Sequence, residues 1–139
     1  MNLFKKNYFK TKKLMMSLLN NRENRVFTLD LLKEVGGDND NFINDMLHVY
    51  IEESPKTIQK LKNAIVIWDI RSIKSMAHKL RSPLAMLNVL KAVELTEFIE
   101  FNASKIEKRR EVEIAAEDLI TLINIVINQV KEFLDLTKK

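Results

Sequence analysis

Glycine and proline each occur only twice in this 139-residue chain, and that scarcity constrains its fold more than any other feature. Tight turns depend on these residues for positive φ angles and preset bends, so the chain has few ready places to reverse direction. Long helices joined by short connections follow. The apolar pattern agrees: Phe42, Ile43, Met46, Leu47, Tyr50 and Ile51 recur at three- and four-residue spacing, the period of one helix face. The same spacing resumes at Ile58, Leu61, Ile65 and Trp68, which predicts one long, bent helix through Pro55.

The neighbouring segments read the same way. FTLDLLKEVGG predicts a short helix from near Thr28, stopped by Gly36-Gly37, with Asp38 placed to cap the long helix. Asp69 opens a third segment running to about Leu87, where Asn88 breaks the pattern. A further helix carries Leu90, Val93, Leu95, Phe98 and Ile99, and a last one carries Ile114, Leu119, Leu122, Ile123, Val126, Ile127, Val130 and Leu134. Between those two, NASKIEKRREVE holds no strong breaker and leaves the boundary open. Four long amphipathic helices must bury their stripes against one another. The predicted fold is therefore all-α, an antiparallel four-helix bundle with additional short N-terminal helical segments.

Charge divides the chain in two. Residues 1–25 hold seven Lys/Arg and one acid, whereas residues 26–139 hold 16 and 18. The first stretch reads as a basic N-terminal arm, able to form a helix through Leu3, Phe4, Tyr8, Phe9, Leu14, Met15, Leu18 and Leu19. The second reads as the bundle, and its near-neutrality argues against a DNA-binding body, which needs a clustered positive face. Cysteine is absent, so disulfides and thiolate metal sites are excluded. No run reaches the roughly 20 apolar residues of a membrane span, and the basic lead-in lacks a signal-peptide core and cleavage site. A cytoplasmic location is the expectation.

The stretch SMAHKLRSPLAML contains one of the two histidines. With His78 at zero and 100° per residue, Met76, Leu87, Leu80, Ile73 and Leu84 fall at about 160–240°, opposite the imidazole. Arg71, Lys74, Ser75, Arg81, Ser82 and Ala85 lie within about 60° of it. This face of the helix is basic, rimmed by small residues and without a carboxylate of its own. A neutral imidazole nitrogen is a nucleophile, and a phosphoryl group placed on it would find Lys74 and Arg81 one turn away on either side. Lys79 flanks the patch. Ser82 and Ala85 leave room above the ring, because the residue four positions on tends to cover a helical side chain. Pro83 leaves the Lys79 carbonyl without its helical donor, which predicts a local kink. His48, between apolar positions on the long helix, has no comparable surroundings and reads as structural or incidental.

The order of these features resembles the histidine-containing phosphotransfer (HPt) domain of bacterial multistep signalling. The resemblance rests on the Gly-Gly-Asp opening, Tyr50 and Pro55 in the long helix, the Trp68-Asp69 junction, the Ala77-His78-x-Leu80-Arg81 centre and the trailing Leu95…Ile99-Glu100. It spans roughly residues 28–132. It implies that His78 accepts a phosphoryl group from a response-regulator aspartate and passes it to another, with basic positions carried over to Lys79 and Arg81. It also implies a receiver domain and a hybrid histidine kinase as partners, with Mg²⁺ held by the receiver and no cofactor or metal in this chain. Ser82 and Asn88 stand where the family commonly has glycine; serine keeps the site low, and asparagine tolerates a left-handed turn.

The chain lacks a glycine-rich phosphate loop, so the reading is a phosphocarrier without its own ATP site, not an enzyme. Two other readings compete. A non-phosphorylated adaptor or kinase-regulatory domain would be expected to lose or cover the histidine. A histidine-kinase dimerisation domain would carry a His-Glu pair, whereas Lys79 follows His78. Four bundle helices in one chain favour a monomer, and association through the arm would be compatible with transfer at His78.

Overall fold

A computed structural model describes residues 25–137; the arm, apart from Arg25, lies outside the described residues. Five α-helices follow in order: α1 Asp30–Gly36, α2 Asp40–Ile67, α3 Ile70–Met86, α4 Leu90–Asn102 and α5 Arg109–Thr137, with one 3-10 turn at Ile106–Lys108. No strand occurs among the described residues. Helix α2 packs on α3, α3 on α4, α4 on α5, and α5 back on α2. That closed ring with short connections is the predicted four-helix bundle, and α1 is the short helix preceding it.

The stripes of α2, α3 and α5 are largely buried, although Met46 of α2 is exposed. Of the stripe expected on α4 only Ile99 is buried: Leu90 is exposed, and Ala92, Thr96 and Asn102 are the other buried residues of that helix. Ile43, Leu47, Ile58 and Leu61 of α2, Ile73, Leu80 and Leu84 of α3, and Leu119, Ile123, Val126 and Val130 of α5 form the core. Ala77 and Ala92 are fully buried at the α3 and α4 faces. Small residues at a contact let helix axes approach closely, which matters for the site below. The buried Thr96 hydroxyl donates to the Val93 carbonyl at 2.7 Å, so it leaves no donor unpaired in the core.

Two connections solve the shortage of glycine in the same way. At the end of α2, Trp68 has φ 53°; its N–H donates to Ile65 O at 3.2 Å and the next N–H, of Asp69, to Ala64 O at 2.9 Å. At the end of α3, Asn88 has φ 57°, with Asn88 N–H on Ala85 O at 3.0 Å and Val89 N–H on Leu84 O at 2.9 Å. Both are Schellman motifs built without glycine. Asp69 then caps α3 directly, its carboxylate accepting from the Ser72 N–H at 3.3 Å and the Ser72 hydroxyl at 2.9 Å. These contacts hold its carboxyl below the usual carboxylate range, the hydroxyl contributing most.

Two boundaries differ from the sequence reading, and a third, open in the sequence, is settled by the structure. α1 begins at Asp30, not near Thr28, because the non-helical segment Arg25–Leu29 gives N–H groups to partners on other elements. Val26 N–H donates to Gln129 Oε1 at 2.7 Å and Thr28 N–H to Leu87 O at 2.9 Å. Phe27 is buried edge-on to Phe133, and the Arg25 guanidinium lies 5.1 Å from both ring centroids. The cap of α2 is Asn39, whose side chain accepts from Phe42 N–H, and not Asp38; Gly37, at φ 66° and ψ −151°, shifts the entry by one residue. The open boundary after α4 resolves as a turn at Ala103–Lys105, where Lys105 N–H bonds Asn102 O at 2.9 Å and the Asn102 side chain donates to Phe98 O at 2.9 Å. Polar side-chain and backbone bonds make this stop without glycine or proline. Both prolines are carried inside helices, Pro55 in the 28-residue α2 and Pro83 in α3.

Candidate functional site

Helix α3 presents His78 outward from the buried Ala77 and Leu80, and 70% of its side-chain surface is exposed. Arg81, Ser82 and Lys79 are exposed beside it, and Lys74 and Ala85 are half-buried. The residues singled out on the α3 wheel therefore do share one surface. His48 is exposed on α2, outside the groove described next.

The neighbouring helix adds what a single-helix wheel omits. Glu100 Oε1 of α4 lies 2.8 Å from His78 Nδ1, and Glu97 Oε1 lies 3.1 Å from an Arg81 guanidinium nitrogen. A face without a carboxylate of its own thus faces two from α4, which corrects the purely basic surroundings expected from sequence. The register explains the pairing: α3 and α4 run antiparallel out of the turn at Asn88. Stepping from His78 to Arg81 toward that turn matches stepping from Glu100 to Glu97 on the partner. An open groove between the two helices is lined by Lys74, Arg81, Glu94, Glu97, Phe98, Glu100 and Phe101. Glu94 itself pairs with Lys91 at 3.5 Å, while Lys74 and Lys79 form no ion pair among the described residues.

The Glu100 contact has a chemical consequence. A carboxylate only accepts, so the close contact places the imidazole proton on Nδ1. In the neutral ring, Nε2 then carries the lone pair. The surface therefore combines an exposed imidazole of defined tautomer, an anion behind it and cations along its helix.

A family model described as the Hpt domain matches residues 45–135. The chain belongs to the Hpt family. The match runs from within α2 to within α5, so it takes in all four bundle helices and His78, and it leaves α1 and the Gly-Gly-Asp opening outside. Comparison with curated proteins and with solved structures gave no significant match. As an Hpt domain, the protein serves histidine phosphotransfer in two-component relays. Interaction with receiver and kinase domains belongs to that role.

Among the described residues, no group of three or more His, Asp or Glu side chains is placed to hold a metal ion. No helix there is long and apolar enough to cross a membrane.

Proposed function

We propose that His78 is the phosphoaccepting residue and that it relays a phosphoryl group between aspartates of response-regulator receiver domains, in the cytoplasm. The observation that carries this reading is the 2.8 Å contact between Glu100 and Nδ1 of an imidazole that is 70% exposed. It supplies a reachable Nε2 nucleophile and a counter-charge for the ring. In the reaction, the Nε2 lone pair forms the bond to phosphorus as the receiver's aspartyl O–P bond breaks, and the aspartate leaves as carboxylate. The Nδ1 proton stays in place, so the ring becomes cationic and Glu100 stabilises it. Transfer onward is the reverse step on a second receiver.

Lys74, Lys79 and Arg81 supply positive charge for the spreading oxygens and for docking. Ser82 and Ala85 keep the approach to the ring low. Mg²⁺ is assigned to the receiver's acidic cluster, with no cofactor in this chain. A hybrid histidine kinase and a response regulator are the proposed partners.

The test is incubation with a phosphorylated, Mg²⁺-loaded receiver domain, followed by intact mass. Acid-labile, base-stable phosphate on the wild type and none on His78→Gln is the expected result. Equal labelling of the variant would remove His78 from the role.

A further inference from the structure

Arg81 is assigned above to the phosphoryl oxygens, yet in this structure its guanidinium already has an anion, Glu97 at 3.1 Å. Both side chains are about half exposed, 45% and 50%, so neither is locked by packing. Of the other charges on the groove, Glu94 is engaged by Lys91 and Glu100 by His78. Arg81 is thus the groove cation held by a carboxylate before any phosphate arrives. A phosphoryl group on Nε2 would bring about −1.5 to −2 charge and three acceptor oxygens within a turn of it. Guanidinium uses the same donor fork for carboxylate and phosphate. The two anions therefore compete for one cation.

Building on the assignment of His78, we infer that Glu97 is a positioning residue that holds Arg81 back from the phosphohistidine and so keeps the phosphoryl group transferable. The reaction is the one already balanced: an aspartyl O–P bond exchanged for an Nε2–P bond, with no other reactant. Glu97 affects its equilibrium position, because phosphate must displace Glu97 from Arg81 before gaining the full interaction. Exposed ion pairs of this kind shift equilibria by about 1.5- to 5-fold. Glu97→Gln is therefore expected to move the receiver-aspartate to His78 equilibrium about 1.5- to fivefold toward phosphohistidine. High salt should shrink the difference.

The experiment mixes a phosphorylated, Mg²⁺-loaded receiver domain with the full chain as wild type, Glu97→Gln, Arg81→Ala and the double variant. The phosphate ratio at equilibrium is read by intact mass. The expected result is a shift for Glu97→Gln that disappears in the Arg81→Ala background, since the effect runs through Arg81. A Glu97→Gln shift of equal size without Arg81 would show plain repulsion and overturn the inference, as would an unchanged ratio in Glu97→Gln when wild type accepts normally. A wild type that accepts no phosphate would instead overturn the assignment of His78, and this inference with it.

Discussion

Glu100→Gln separates the charge behind His78 from the hydrogen bond. Glutamine can still accept from Nδ1–H, so the tautomer survives while the counter-ion is lost. Two unit charges about 4 Å apart interact by about 1 kcal/mol in bulk water and about 4 kcal/mol at the effective dielectric near a protein surface. His78 is 70% exposed and Glu100 32%, which places the pair near the aqueous end, at about 1–2 kcal/mol for a fully charged ring. A transition state that has developed part of that charge loses less, so phosphoryl acceptance should slow by about 3- to 10-fold. Glu100→Ala removes the acceptor too, lets the Nε2–H tautomer compete, and should be slower than Gln. Rapid-quench transfer from a phosphorylated receiver at low salt measures the rates, and ¹⁵N NMR of the imidazole reads the tautomer. Wild-type rates in Gln, or an unchanged tautomer in Ala, would refute the reasoning.

Gly37→Ala places a Cβ in a backbone region open essentially to glycine (φ 66°, ψ −151°) and should cost about 1–3 kcal/mol; a urea midpoint that does not fall contradicts this. For Asp69, the folded-state carboxyl is held below its ordinary 3.8 by Ser72. Its stabilisation is therefore present above that value and lost as pH falls through the lower folded value. The wild-type urea midpoint should decline over that acid range more steeply than that of Asp69→Asn, and identical pH profiles would count against the cap. Ser82→Leu should slow transfer severalfold while leaving the unfolding midpoint nearly unchanged, because a longer side chain there leans over the imidazole; wild-type kinetics with the cognate receiver would contradict this geometry.

How legible the molecule was follows from which contacts are local. The α3 stripe of Ile73, Leu80 and Leu84 is a matter of period alone, and all three are buried. The long α2 was equally plain, since helical spacing carried through Pro55. Trp68 was harder: a bulky residue at φ 53° contradicts local preference. It is sustained by its Schellman bonds and by Arg109, whose guanidinium lies 4.7 Å from the indole centroid. Asn39 and Asp38 are near-equivalent caps by residue type, so the backbone of Gly37 had to choose between them.

In the site, the basic face of α3 came from one helix wheel, but Glu97 and Glu100 come from across a helix pair. The signal available was register. Once Asn88 is taken as the turn of an antiparallel pair, matched steps on both sides bring those two glutamates opposite Arg81 and His78. Glu100 already stood within the motif that resembled the family, without a role attached to it.

The measurement that bears most directly on the central claim is the position of phosphorus on the chain. After transfer from a phosphorylated receiver domain, ³¹P and ¹⁵N NMR of the uniformly ¹⁵N-labelled protein should show a single phosphohistidine, with phosphorus bonded to Nε2 of His78 and the Nδ1 proton retained. Phosphorus on Nδ1 of His78, or on His48, would contradict the account.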